Sequence, residues 1–562
     1  MSMAILLLLY YAFSGQFLLK ILTYNFNSGG VVLAKYKIKR YECEQVVNSI
    51  VEIADRAQRL YGDADAFVYK KRRKPYKKTY NEFVADSKKN AQFILRQKLK
   101  KGHVAVLGAS SYEWVTWYYG LMYAGLVIVP IDKELHTENI DVLIKQADVD
   151  FIVYDSVYAD VAKELIDLQG GNLGSFCMDD EIVLTGEDIA FPEVDPDKLS
   201  AIVFTSGTTG KSKGVMLTQR NIARNVSSGL EIIHPKHGED VAMSVLPMNH
   251  AFECTGTLFL MVYCGVKICI CSGLKYVQKE LKEYKPTVMF VVPLIPQKLY
   301  DKVWLTARKS EKEKKLITGI KICNAAKKIG IDLTDKILGE VKSAFGGRLR
   351  LLMCGGAYTP ESLIQGCQDL GINLFQGYGL SECSPLLCAN FENYHRPESV
   401  GQVVSGCEMK VVDGELWARG VSVSAGYYND EENTAASFED GWFKTGDLGY
   451  IDEDNFVFVT GRKKNLIILS NGKNVAPEEI ETLIYKEMPY VSEVVVSANG
   501  DKLQAEIYLN EDMPEYYEKT ANADIAKLNT KMAFYKNISV VTFRNEPFPK
   551  TTTRKIIRSG AK

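Results

Sequence analysis

Short apolar runs alternate with longer amphipathic stretches over most of this chain. Val104-Ala105-Val106-Leu107, Val127-Ile128-Val129-Pro130 and Phe151-Ile152-Val153-Tyr154 have the length and bounding of strands buried on both faces. Tyr41 to Leu60 places Val46, Val47, Ile50, Val51, Ile53 and Ala54 at helical spacing and predicts a helix. Lys302 to Ala344 sets Leu316, Ile320, Ile322, Ala325, Ala326 and Ile329 among lysines, which predicts surface helices. Strands separated by helices imply an α/β body with mixed, largely parallel sheets. From Asp447 the texture changes. Asp452-Glu453-Asp454-Asn455 reads as a turn between short strands, and Gly461-Arg462-Lys463-Lys464-Asn465 as a charged break before Leu466-Ile467-Ile468-Leu469. A boundary there divides a large N-terminal domain, 34–461, from a small C-terminal α/β lobe, 462–562.

The N-terminus follows a different pattern. Residues 3–22 are almost wholly apolar, with Lys20 near the end. A helix of about 20 residues reaches across a hydrocarbon core of ~30 Å, and a terminal lysine can snorkel. Lys35, Lys37, Lys39 and Arg40 follow, while no lysine or arginine precedes. Residues 1–33 are therefore expected to be a membrane anchor, an interfacial helix or a dispensable extension. As an anchor, they would leave the main body on the cytoplasmic face of a membrane. A missing basic leader and missing small-residue cleavage site argue against a cleaved signal peptide.

Composition narrows the class. With 562 residues the chain exceeds a single core. The 68 basic and 69 acidic residues leave a net charge of -1, which gives no general case for a nucleic-acid partner. The local run Lys70-Lys71-Arg72-Arg73-Lys74 is expected to be a solvated hairpin tip. Twelve cysteines lack paired spacing, which argues against zinc and suits a reducing compartment.

The chemistry concentrates in a few segments. Ala201-Ile202-Val203-Phe204 runs into Thr205-Ser206-Gly207-Thr208-Thr209-Gly210-Lys211-Ser212-Lys213-Gly214, then Val215-Met216-Leu217. This predicts strand, tight loop, then a second strand or turn. Glycines let backbone N–H groups close on an anion, hydroxyls add donors, and lysine supplies a point charge. The spacing is not that of the common P-loop. Gly355-Gly356-Ala357 follows the apolar run Leu351-Leu352-Met353. Gln376-Gly377-Tyr378-Gly379-Leu380-Ser381-Glu382 follows Ile372-Asn373-Leu374-Phe375. Thr445-Gly446-Asp447 follows Trp442-Phe443-Lys444, and Pro549-Lys550-Thr551-Thr552-Thr553-Arg554-Lys555 lies near the C-terminus.

In this order the segments resemble the adenylate-forming superfamily of acyl-CoA synthetases, carrier-protein adenylation domains and beetle luciferases, over roughly Glu42 to Arg558. The resemblance implies a large N-terminal domain and a small mobile C-terminal lobe that rotates between two half-reactions. It implies that Ser206, Gly207, Thr208, Thr209, Gly210 and Lys213 hold the β- and γ-phosphates of ATP. Tyr378 would stack on adenine beside Gly355, Gly356 and Ala357, within the segment Gln376 to Ser381. Asp447 would accept the ribose hydroxyls, assisted by Arg462. Glu382 and Thr205 would coordinate Mg2+, whose hard character suits oxygen ligands. Lys555 would bridge the substrate carboxylate and the α-phosphate. Lys464 would be the hinge, and Gly472 would lie near the pantetheine tunnel of CoA. The residue before the catalytic lysine is usually Gly and here is Arg554, so Lys550 competes for the role.

Leu246-Pro247-Met248-Asn249-His250-Ala251-Phe252-Glu253 is similar to a motif of long-chain acyl-CoA synthetases, and so is Phe345-Gly346-Gly347-Arg348-Leu349-Arg350. His250 and Phe252 would line the acyl pocket. No aspartate at this point pairs with an amino-acid ammonium. The leading expectation is a long-chain fatty acid–CoA ligase. A fatty-acyl-AMP ligase loading an acyl carrier protein and a lipid-binding pseudoenzyme are the alternatives.

Overall fold

A computed structural model of the protein describes residues 45–206, 212–392, 394–469, 473–488, 490–500, 502–509, 514–550 and 556–558. The apolar N-terminal segment 3–22, Gly207, Thr208, Thr209, Gly210, Gly472 and Lys555 lie outside the described residues.

Two large sheets build the N-terminal domain. One has nine strands. In spatial order they are Gln402–Val403, Leu386–Ala389, Asn373–Gly379, Leu351–Cys354, Val288–Val291, Val241–Ser244, Lys267–Ile270, Asp65–Lys71 and Lys74–Thr79. The six central strands from Asn373–Gly379 to Asp65–Lys71 are parallel, and the edges are antiparallel. The other sheet runs Gly174–Cys177, Phe151–Tyr154, His103–Leu107, Val127–Ile131, Leu199–Ser206 and Ser212–Thr218, parallel until its final antiparallel pair. The apolar runs of the sequence are these inner strands, and every residue of His103–Leu107 and Val127–Ile131 is buried. Parallel strands covered on both faces need this continuous apolarity.

Helices fill the faces. In Tyr112–Tyr123, capped by the Ser111 side chain, all but Glu113 is buried. Its Tyr119 meets Phe83 edge-to-face at 4.9 Å between ring centroids. The helix expected from Tyr41 begins later, at Ile50, and runs to Tyr61. Ser49 sets that start: its hydroxyl accepts from the Glu52 N–H, an N-cap that leaves Val46 and Val47 ahead of the helix. The basic run at Lys70 is a hairpin tip, with Arg72 and Arg73 at φ 49° and 67° in a two-residue turn. Its flanks are not purely solvated, since Lys70 pairs with Glu280 and Glu283, and Lys71 with Glu113 and Asp179. The lysine-rich stretch forms helices Leu294–Lys309, Glu313–Lys327, Thr334–Ile337 and Gly339–Ala344.

A third, antiparallel sheet contains Cys407–Val412, Glu415–Gly420 and the long strand Trp442–Ile451, which also pairs with Phe438–Glu439 and Val457–Arg462. The C-terminal domain has its own core. Ile480 and Ile484 of helix Pro477–Glu487 pack with Val494, Ile507 and Ile525 against the sheet Val491–Asn499, Lys502–Leu509 and Ile538–Arg544. Among the described residues no helix is long and apolar enough to cross a membrane.

Candidate active site

Strands Leu199–Ser206 and Ser212–Thr218 pair antiparallel, with Thr205 opposite Lys213 and Ser206 opposite Ser212. The paired strand ends thus deliver Thr205 and Lys213 side by side, while residues 207–211 between them lie outside the described residues. Gly214 sits where a Cβ would come within 2.8 Å of Ile202 Cγ2 and 3.3 Å of the Phe204 ring. Next to these paired strands runs a segment that local patterning did not single out. Val215 bridges Tyr427, Met216 N–H donates to Gly426 O, and Tyr428 N–H donates to Gly214 O at 2.8 Å. These backbone bonds press the Tyr427 ring under Lys213, whose ammonium lies 4.9 Å from the ring centroid. The Tyr427 hydroxyl donates to Glu382 Oε1 at 3.0 Å. Burial, then the Glu382 carboxylate, pushes the phenol well above its ordinary range, so it remains a donor at neutral pH.

Glu382 stands at the exit of strand Asn373–Gly379, in a short 3-10 turn Ser381–Cys383. The strand carries Gln376, Gly377, Tyr378 and Gly379. Gly379 permits a backbone approach that no other residue allows, because a Cβ there would lie 1.9 Å from Pro385 O. Leu380 N–H donates to that same Pro385 carbonyl. The Gln376 amide donates to the carbonyls of Pro397 and Ser399, so its side chain fastens the following loop. Tyr378 reaches across to the third sheet, where its hydroxyl donates to Asp447 Oδ2 at 2.6 Å.

Asp447 lies inside strand Trp442–Ile451, opposite Arg462 in register. The Arg462 Nε donates to Asp447 Oδ1 at 2.6 Å, and Nη2 to Oδ2 at 3.3 Å. The Asp447 carboxylate is buried, and Gly446 beside it takes φ 71°. Thr445 Oγ1 donates to Leu416 O and accepts from Asp447 N–H, which fixes the carboxylate's backbone. Burial and then Asp447 drive the Tyr378 phenol far up, leaving it a donor as well. Lys213, Tyr427, Glu382, Tyr378, Asp447 and Arg462 thereby come together from three sheets.

His250, Phe252 and the Gly355–Ala357 loop lie at the C-terminal end of the parallel strands of the nine-stranded sheet. Gly355, after strand Leu351–Cys354, packs so closely that a Cβ would touch Phe252 Cζ at 3.2 Å and Gly377 O at 3.5 Å. Gly356 (φ 79°) and Ala357 continue this loop on the surface. Phe252 meets Phe290 edge-to-face at 5.6 Å. His250 is the N-cap of the short helix Ala251–Glu253, which passes into a π-helix, Cys254–Leu260. Such wide turns are uncommon and gather near functional sites. Glu253 closes the segment. It is fully buried and accepts from the Ser244 hydroxyl at 2.6 Å. Burial pushes its carboxyl up to about 8, with the Ser244 and Thr257 hydroxyls opposing.

Lys464 falls in the 3-10 turn Lys463–Asn465 that leads out of strand Val457–Arg462. Helix Pro477–Glu487 beyond it stands against the Gly355–Ala357 loop: Tyr485 faces Tyr358 at 6.2 Å, and Lys486 pairs with Glu361 at 3.1 Å. Lys550 pairs with the buried Glu493 within the C-terminal sheet, and Phe548 N–H donates to the other Glu493 oxygen. A separate cleft of about 680 Å³ opens at the N-terminal ends of strands Val241–Ser244, Val288–Val291 and Leu351–Cys354. Its Arg350 and Lys342 are spent on Asp240 and Asp335. Among the described residues no cluster of three or more His, Cys, Asp or Glu could hold a metal by itself.

The profile of AMP-binding enzymes matches residues 54–428, and that of the AMP-binding enzyme C-terminal domain matches residues 464–562. The long-chain-fatty-acid–CoA ligase FadD15 of Mycobacterium bovis is 30% identical over 471 residues, covering 76% of this chain and 77% of that protein. Two solved structures of o-succinylbenzoate CoA synthetase from Bacillus subtilis share the fold at 22% identity. The complex with an acyl-adenylate aligns with a TM-score of 0.72 over 91% of this chain and 98% of that one. The complex with ATP and magnesium aligns with a TM-score of 0.71 over 90% and 98%. The fold is thus that of adenylate-forming CoA synthetases. The chain belongs to the AMP-binding enzyme family.

Proposed function

We propose that this protein activates a long-chain fatty acid with ATP and transfers the acyl group to CoA. In the first half-reaction a fatty-acid carboxylate oxygen attacks the α-phosphorus of ATP. The bond to the β-phosphate oxygen breaks and pyrophosphate leaves. In the second, the CoA thiol sulfur attacks the acyl carbon, AMP departs with the bonding pair, and the thiol proton is lost to solvent. The observation that carries this reading is the linked set Lys213–Tyr427–Glu382 beside Tyr378–Asp447–Arg462. One end carries the Lys213 ammonium at the strand ends that flank residues 207–211, as a leaving pyrophosphate requires. The other offers a buried carboxylate and an aromatic ring, as a nucleoside requires.

In this reading Ser206, Gly207, Thr208, Thr209, Gly210 and Lys213 cradle the β- and γ-phosphates. Tyr378 stacks on adenine along the Gly355–Ala357 loop, and Asp447 takes the ribose hydroxyls from its pairing with Arg462. Lys555 carries the charge between the two anions that must meet. The tie of Lys550 to Glu493 supports that assignment, because it leaves Lys550 committed elsewhere. Glu382 and Thr205 present hard oxygens, which suit Mg2+. Mg2+ held there would neutralise charge on the phosphate oxygens. Phe252, His250 and the π-helix wall the acyl side, and the similarity to FadD15 supports a fatty acid there. In this reading the two domains are 34–461 and 462–562, with Lys464 as hinge and Gly472 at the CoA channel.

The test is a panel of carboxylic acids given with ATP and either CoA or a phosphopantetheinyl carrier protein, reading AMP and thioester. AMP and thioester with CoA and acids of long chain are expected. Thioester with the carrier alone would overturn the CoA assignment, and no AMP with any acid would overturn catalysis altogether.

A further inference from the structure

Helix Glu313–Lys327 buries one stripe, Leu316, Gly319, Cys323 and Ala326. Its other face is open and unusual in kind. Thr318, Ile322 and Ala325 follow each other at helical spacing, with Ile329 continuing past the helix end, and all four are exposed. Lys314, Lys321 and Lys328 line up beside them at seven-residue intervals, and Lys315 and Ile317 flank the band. Ile322 is 46% exposed and Ile329 60%, with Ile331 and Ile337 nearby at 40% and 38%. Residues 308–342 carry ten lysines and arginines against five acids, in a chain whose net charge is -1. Three of those acids are already paired, Glu313 with Arg308, Glu340 with Lys312 and Asp335 with Lys342. Among the described residues Lys314, Lys315, Lys321 and Lys328 form no ion pair.

We propose that this isoleucine–lysine face docks on the surface of a bilayer containing anionic phospholipid. Water does not favour exposed isoleucines, and a protein or nucleic-acid partner of simple opposite charge has no use for them between the lysines. A bilayer surface uses both groups together. The isoleucines sink to the boundary of the acyl chains, and the lysine stems run up their flanks to place ammonium groups among phosphates. The inference does not rest on the acyl-transfer reading and stands or falls separately from the acid panel. It also differs from anchoring by residues 3–22, because a charge-dependent face must respond to lipid charge and salt.

The test uses the full chain with Ile322→Cys carrying an environment-sensitive fluorophore, and wild type taken through the same labelling as blank. The label reports whether this face meets lipid, however else the chain is held. A blue-shifted emission is expected with vesicles of phosphatidylcholine and phosphatidylglycerol. It should be absent with phosphatidylcholine alone and lost in high salt. Adding Lys314→Glu, Lys321→Glu and Lys328→Glu should weaken the response by at least about tenfold in lipid concentration. Ile329→Ser should weaken it without changing its salt dependence. No shift on either vesicle, or an equal shift on both, overturns the proposal. A shift without vesicles that grows with protein concentration assigns the face to a second copy and overturns it too.

Discussion

Glu253 is expected to make the stability of the large domain fall as pH rises through neutrality, and Glu253→Gln should remove its share of that fall. The carboxyl is fully buried, and burial raises it from 4.5 to about 8 against the opposing Ser244 hydroxyl. Between about pH 5 and pH 8 the folded chain therefore keeps a proton that the unfolded chain releases. The unfolded state binds fewer protons in that window, so stability declines with pH and levels off once both forms are ionised. At 1.36 kcal/mol per pH unit, the gap from 4.5 to about 8 amounts to about 5 kcal/mol. The amide has the same shape and no proton to lose. Glu481, also raised by burial, titrates in both proteins and cancels in the difference. Asp240 works in the opposite sense. Burial raises it, but the Arg350 guanidinium and Thr287 hydroxyl overcome that and hold it low, so its contribution is lost only in acid. Urea unfolding followed by tryptophan fluorescence, at half-unit steps from pH 5 to pH 8.5, measures both proteins. The variant's curve should be flatter by several kcal/mol across the range. Parallel curves would refute a protonated Glu253.

Two further predictions concern the catalytic reading. Tyr427→Phe keeps the ring beneath Lys213 and removes the donor to Glu382, a bond to a charged group worth about 1.5–3 kcal/mol. The Mg2+ concentration for half-maximal pyrophosphate–ATP exchange should rise about tenfold with the acid's KM unchanged. Calorimetric titration with MgATP should weaken in step; an unaltered Mg2+ requirement would rule out the positioning role. Lys555→Ala should lower adenylation by about a hundredfold or more, yet form thioester from preformed acyl-adenylate at close to the native rate. Near-normal adenylation in that variant would transfer the role to another cation.

The strands were legible wherever burial on both faces forced continuous apolarity, as at Val104–Leu107 and Phe151–Tyr154, but their order across the sheets was not, because it depends on pairings far apart in sequence. The strand before the glycine-rich segment was legible from its apolar run, and the run after it, read as a strand or a turn, is the strand Ser212–Thr218. The helix at Ile50 was misplaced at its start because Val46 and Val47 continue the apolar pattern, while a single serine hydroxyl decides the boundary. Tyr427 was not legible at all. Its role depends on backbone pairing with Val215 and on Glu382, contacts far apart in sequence that leave no local pattern. Glu253 sat in plain view within a quoted motif, but only the surrounding packing reveals that its carboxyl is cut off from water.

The contact between helix Pro477–Glu487 and the loop after Leu351–Cys354 bears on the proposed hinge motion at Lys464. Lys486 and Glu361 are 60% and 42% exposed in their side chains. An ion pair so open to solvent is worth no more than about 1 kcal/mol, and salt weakens it further. That is a bias of about fivefold in population. A ligand that prefers one arrangement by only ten- or a hundredfold outweighs it, so nucleotide and thiol, rather than this pair, would decide which posture the C-terminal domain occupies.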